Sequence, residues 1–170
     1  KESFKFGLYF QREIASVARL ILSAYKRVYG REVEVSATQN MLLKKNKQYK
    51  ISLADEGSVK SLLMDSDFLR PENVFQMQYS VNPSLLRTNE AIRAYVRASF
   101  LGAGSVTSPN KRYHLEFITH DEIHGRDLMK WLERSHFHAK GVYRKDDYII
   151  YLKEAEKISD VLAFMGAGQS

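Results

Sequence analysis

Residues 4–10 alternate apolar with other side chains, which places Phe4, Phe6, Leu8 and Phe10 on the inward side of a half-buried strand. The period then lengthens. Ile14, Val17, Leu20, Ile21, Ala24 and Val28 recur at helical spacing over 12–29, and Gly30 closes that helix. Val33 and Val35 begin a second strand, and Tyr49, Ile51 and Leu53 line a third. Val59, Leu62 and Leu63 mark the apolar side of a short helix. Residues 66–88 contain Pro71 and Pro83 and show no clean period. Because Phe68, Leu69, Val74, Phe75, Met77 and Tyr79 are too apolar for a solvated tether, an ordered linker is expected there.

The run from Thr88 to Ser105 is patterned differently. Thr88 offers an N-cap oxygen, and Gly102 and Gly104 stop the helix after about four turns. Ala91, Ala94, Ala98 and Gly102 form a stripe of small residues, with Ile92, Val96, Phe100 and Ala103 in a second apolar stripe beside it. Only Glu90, Arg93 and Arg97 remain for a polar wedge, so a mostly buried helix is expected. Its small face admits a closely crossing partner helix.

Past this helix the strand period returns. Residues 104–107 read as a short strand, Pro109-Asn110-Lys111 as a turn, and Tyr113, Leu115 and Phe117 as the inward row of a returning strand. Thr119-His-Asp-Glu122 has the spacing of a capping box that opens a helix to about Ser135. His138–Arg144 and Tyr148–Lys153 form a hairpin around Asp146-Asp147, and 154–165 closes as an amphipathic helix through Ile158, Val161, Leu162 and Met165.

The order strand, helix, strand, strand, helix therefore occurs twice. Arg12-Glu-Ile14 matches Asp121-Glu-Ile123 at an offset of 109 (123 less 14), and Tyr49-x-Ile51-x-Leu53 matches Tyr148-x-Ile150-x-Leu152 at 99 (148 less 49). The difference falls in a basic excursion at 41–48. The repeat predicts a pseudo-twofold pair, residues 1–65 and 89–168, joined by the linker 66–88. The counterpart of the small-residue helix falls before residue 1, so the chain is expected to be a fragment. A single helix with a different partner is the competing expectation.

Composition adds less than pattern does. A net charge of +6, from 26 Lys plus Arg against 20 Asp plus Glu, favours a polyanionic partner. The absence of cysteine excludes disulfides, thiolate zinc sites and cysteine nucleophiles. No apolar run approaches the roughly 18–20 residues that span a bilayer. A cytoplasmic protein is expected, with no membrane partner.

Two small-helix-plus-hairpin units of this kind resemble the LAGLIDADG homing endonuclease fold. The runs Tyr95-Val-Arg-Ala-Ser-Phe-Leu-Gly-Ala-Gly-Ser-Val-Thr-Ser-Pro109, Tyr113-His-Leu-Glu116, Tyr148-Ile-Ile-Tyr-Leu-Lys153 and Phe164-Met-Gly-Ala167 resemble the N-terminal domain of the WhiA family, bacterial regulators of transcription in sporulation and cell division. The resemblance implies an α+β fold of two pseudo-twofold αββαββα units with antiparallel sheets. It also implies double-stranded DNA as partner, possible protein partners in transcription, a nucleoid-associated setting, and a C-terminal helix-turn-helix domain absent from this chain. Registered on the family motif, the terminal glycine is Gly104, and Ala91, Ala98 and Gly102 serve inter-unit helix packing. The metal-binding acid falls on Ala103, whose methyl group cannot hold a divalent cation against a scissile phosphate. No catalytic residue, metal or cofactor is therefore expected.

DNA contacts are expected on the outward rows of the strands, at Lys5, Lys50, Arg112, His114, Lys140 and Arg144, with Lys111 and Lys145 at hairpin turns and Lys44, Lys45 and Lys47 on the basic excursion. A solvated sheet face accounts for any one of these cations equally well. His120 and His124 have zinc-pair spacing, but they lack the His-Glu-x-x-His order and a third ligand and are read as helix-start residues. Asp65 with Asp67 and Asp146 with Asp147 are read as turn residues. Trp131 is read as core. Two alternatives stay open: a magnesium-dependent homing endonuclease or maturase, and a protein-interaction scaffold without DNA binding.

Overall fold

In the computed structural model the described residues are 8–12, 14–31, 33–39, 47–53, 55–72, 77–107 and 113–167. They divide into two compact units, Lys1–Asp65 and Ser66–Ser170, so residues 66–88 belong with the second.

The first unit contains β1 (Leu8–Arg12), α1 (Ala15–Tyr29), β2 (Glu34–Gln39), β3 (Lys47–Leu53) and α2 (Glu56–Asp65). Its strands form an antiparallel sheet in the order β1-β3-β2. Leu8 and Phe10 pair with Leu53 and Ile51, and this row packs on Tyr25, Tyr29, Val59, Leu62 and Leu63. Gly30 ends α1 at φ 64, a left-handed conformation that glycine adopts without a Cβ penalty. The buried side of α1 is rotated from the expected one. Val17, Ala18 and Tyr25 are buried, whereas Ile14, Leu20 and Val28 are exposed. Apolar residues cover more than half of this helix, so periodicity alone did not select which arc meets the sheet.

The second unit contains a 3₁₀ turn (Pro83–Leu85), α3 (Asn89–Ala103), β4 (Gly104–Val106), β5 (Leu115–Thr119), α4 (Glu122–Arg134), β6 (Lys140–Arg144), β7 (Asp147–Leu152) and α5 (Ala155–Phe164). The sheet order is β4-β5-β7-β6, all antiparallel. Its inward row, Leu115, Phe117, Tyr148, Ile150 and Leu152, packs with Val96, Leu128, Leu132, Ile158, Val161 and Met165 into one core. Trp131 is buried as expected.

The repeat is visible in strand pairing. Leu115 pairs with Leu152 and Phe117 with Ile150, as Leu8 pairs with Leu53 and Phe10 with Ile51. The third strands keep the offset of 99 (152 less 53), but the first strands and helix starts fit 107 (115 less 8), which corrects the 109 read from Arg12-Glu-Ile14. Buried Ala18 and Gly125, also 107 apart, occupy matching places in α1 and α4.

The capping box also needs correction. Thr119 ends β5 and is buried, with its hydroxyl donating to the Tyr148 carbonyl at 2.8 Å. The N-cap of α4 is Asp121, whose carboxylate accepts from the His124 backbone N–H at 3.0 Å. No helix among the described residues is long and apolar enough to cross a membrane.

Candidate nucleic-acid interface

Cross-strand partners in an antiparallel sheet share a face, so the register assigns the outward rows. In the first unit Lys50 lies between Gln11 and Ser36 on the side away from Ile51 and Leu53. Its ammonium sits 4.5 Å from the centroid of Tyr9, which is exposed. Lys47 opens β3 opposite Gln39. Lys5, Lys44, Lys45, Lys111 and Arg112 lie outside the described residues.

In the second unit the outward rows run Ser105, Glu116, Tyr151, Lys140, then Ile118, Ile149, Val142, then Asp147 with Arg144. Lys140 and Arg144 are exposed at the two ends of β6, and Lys145 is exposed in the turn that follows. His114, just before β5, stacks on Tyr151 with ring centroids 5.7 Å apart, and the Lys153 ammonium lies 5.0 Å from the same ring. This end of the face thus sets cations beside aromatic rings.

Two features differ from the expectation. First, Arg144 and His114 are both engaged by Glu116. Arg144 Nη2 donates to Glu116 Oε2 at 3.0 Å, and His114 Nε2 lies 3.0 Å from the same oxygen. The Glu116 side chain is only 12% exposed. Burial alone raises its pKa, but the hydrogen bonds from His114 and Arg144, with the Arg144 charge, outweigh it and hold the carboxyl below its ordinary value. Secondly, the middle of the outward face is apolar, because Ile149 is 1% exposed yet stands in the row opposite to the core. The run Tyr148-Ile-Ile-Tyr-Leu is apolar on both faces of β7 and conceals this in the sequence.

Thr88 caps α3 by accepting from the Ala91 N–H at 3.1 Å. The helix is less buried than expected. Val96 is its buried residue, whereas Ala94, Ala98 and Ala103 are exposed and Ala91 and Gly102 half-buried. The small-residue stripe is therefore an open surface. Ala103 ends the helix with its methyl group at that surface. Gly104 follows in extended conformation, and a Cβ there would fall 2.1 Å from the Phe100 ring, which packs edge-on against Phe117. The space beside Gly104 is filled by that ring.

Among the described residues, no three His, Asp or Glu side chains are grouped to hold a metal ion. His120 Nδ1 lies 2.5 Å from Asp147 Oδ1 across the β5–β7 edge. With His124 it borders a shallow cleft of about 410 Å³ walled by Phe68, Tyr79 and Tyr95. Asp67 pairs with Arg70 and accepts from Asn82, and Asp65 accepts from the Tyr29 hydroxyl. Asp65, Asp67 and Asp147 are thus each engaged by a neighbouring side chain. Residues that sequence reasoning missed on the outward rows are Tyr9, Glu116, Tyr151 and Lys153. Their signal was the alternation itself, had it been followed through the acidic and aromatic positions as well as the cations.

Comparison with known proteins shows the family and the fold. The family model of the WhiA N-terminal LAGLIDADG-like domain matches residues 2–69, and that of the WhiA LAGLIDADG-like domain matches 92–170. A probable cell division protein WhiA of Clostridium botulinum (strain Hall) is 40% identical over 167 residues, 98% of this chain and 53% of the relative. That of Thermoanaerobacter pseudethanolicus is 38% identical over 164 residues, 96% and 52% of the two chains. The chain spans about half the length of the curated relatives it matches. A crystal structure of the N-terminal LAGLIDADG domain of a WhiA protein superposes with a TM-score of 0.69 at 17% identity, covering 96% of this chain and 72% of that one. The homing endonuclease I-DmoI, in complex with DNA and Mn, superposes with a TM-score of 0.60 at 7% identity, covering 95% and 86%. The last two likenesses speak for the fold alone.

Proposed function

The chain belongs to the WhiA family, and from that premise we propose that it is a non-catalytic grip for double-stranded DNA within a bacterial transcription regulator of sporulation and cell division. The observation that carries this reading is the outward face of the two sheets. Lys50 on Tyr9, Lys140 and Lys153 beside Tyr151, and Arg144 held by Glu116 stand on the faces opposite the rows that build the cores. Lysine and arginine on such a ribbon neutralise phosphates, and a two-stranded ribbon fits the major groove. In this proposal Lys44, Lys45, Lys47, Lys111, Arg112 and Lys145 supply further phosphate contacts. The small face of α3, through Ala91, Ala98 and Gly102, serves helix packing between units, and a helix-turn-helix domain of the longer protein supplies sequence readout. The setting is cytoplasmic, at the nucleoid.

Ala103 argues against nuclease chemistry, since the position aligned with the metal-binding acid offers no oxygen ligand. The test is titration of labelled duplex DNA with this chain and with a full-length relative, at several salt concentrations, with and without Mg²⁺. Salt-dependent binding without strand scission is expected. Cleavage would overturn the reading in favour of an endonuclease, and absence of salt-dependent binding by this chain would favour a protein-interaction scaffold.

A further inference from the structure

One end of the second sheet holds a cleft that shares Lys140, Tyr151 and Lys153 with the outward face and adds Lys157 from α5. It measures about 110 Å³, and Lys140, Lys153 and Lys157 converge on it together with His138, Tyr151 and Glu154. Lys140 opens β6, Lys153 follows β7, and Lys157 stands in the first turn of α5. Opposing charge is limited. Glu154 Oε1 accepts from the Lys157 ammonium at 2.9 Å and is itself 69% exposed, while Glu133 is taken up by His138 at 2.7 Å. Glu156 is exposed on the same first turn. Among the lining residues three lysines stand with one glutamate, which Lys157 pairs, so the cleft carries an excess of positive charge that an anion would offset.

The placement of Lys157 is also against the local rule. The first turn of a helix carries unpaired N–H groups and positive dipole charge, which favours acids there and disfavours lysine. The N-cap residue of α5, Glu154, makes no side-chain capping bond. Departures of this kind from local preference are expected at functional positions. The volume falls well below the roughly 300 Å³ at which small-molecule sites begin, so a single phosphoryl group fits and a whole nucleotide does not. Finally, Tyr151 and Lys140 join the cleft to the outward row that holds Glu116.

We propose that this cleft is a phosphate-binding subsite, with Lys140, Lys153 and Lys157 as the cationic partners of one backbone phosphate of a duplex lying on the outward face. The source of the phosphate rests on the DNA reading; the anion chemistry does not. A free phosphate presents the same group, so the two sources are separated by experiment.

Binding of a labelled 30-base-pair duplex to the 170-residue chain is measured between 50 and 200 mM salt for wild type, for K153Q/K157Q, and for K130Q on α4 as a control, with thermal melts to establish folding. The double variant is expected to lower the slope of log affinity against log salt by about 0.9, the value of one lost phosphate contact, and K130Q to leave it unchanged. A wild type that binds duplex with the same slope as K153Q/K157Q overturns the subsite and leaves the DNA reading intact. If wild type binds no duplex, the DNA reading fails. The cleft is then tested by titrating inorganic phosphate while following the Lys153 and Lys157 amide resonances. Saturable shifts, lost in K153Q/K157Q, support a site for free phosphate, and their absence overturns the proposal.

Discussion

Glu116 sets the character of the outward face more than any single cation does. Its carboxylate holds Arg144 and His114 in place and cancels part of the charge that the alternation predicts. Glu116→Gln is therefore expected to release Arg144 for phosphate, tightening duplex binding and steepening the salt slope by about 0.9 at neutral pH, read by the same titration. The substitution also acts on stability. Because the fold lowers the carboxyl below its ordinary 4.5, its contribution is present above that value and is lost as pH falls through the lowered one. Melting temperature followed from pH 6 to pH 2.5 should fall less steeply for Glu116→Gln than for wild type. A steeper fall in the variant would contradict the assigned roles of Arg144 and His114.

At the scale of elements, most helices and strands were legible because their periods are clean. Leu115 and Phe117 alternate into the core, and Ile158, Val161 and Met165 keep helical spacing. The misreadings have physical causes. In α1 both Leu20 and Tyr25 are apolar, and which one packs depends on the sheet beneath it, a tertiary choice. Thr119 mimics an N-cap, but the strand runs one residue further than a capping box permits, and the nearer Asp121 takes the role. The charged outward rows were legible as a list of cations and not as a network. Glu116 and Arg144 meet across β7 although 28 residues separate them and their strands are not neighbours, so their pairing follows only once strand order is known. The Thr88 cap of α3 was legible and is observed. Thr88→Ala should cost about 1 kcal/mol, measured by urea unfolding, with the earliest loss of hydrogen-exchange protection in the first turn of α3.

For the whole molecule, the recurrence of strand pairing matters more than the matched tripeptide. Two cores of different size are built on one plan, the smaller around Tyr25, Leu53 and Val59 and the larger around Phe117, Leu132 and Ile150. Each sheet turns its apolar row inward and leaves an outward row for other use. Basic groups occur in both units, 12 in residues 1–65 and 14 in 66–170, but against 7 and 13 acids they leave a net +5 in the first unit and +1 in the second. Binding energy drawn from such a surface is distributed, so single lysine losses are expected to be graded and not all-or-none.

The end of α3 separates two demands that the motif joins. Ala103→Asp puts a carboxylate on an open surface and is expected to cost less than about 1 kcal/mol, from helix propensity and the helix dipole. Gly104→Ala drives a methyl group into the packed Phe100 ring and should cost about 1–3 kcal/mol; thermal melts of the two variants rank them. The scaffold therefore constrains residue 104, where a side chain must fit a filled space, more tightly than residue 103, where it meets open surface.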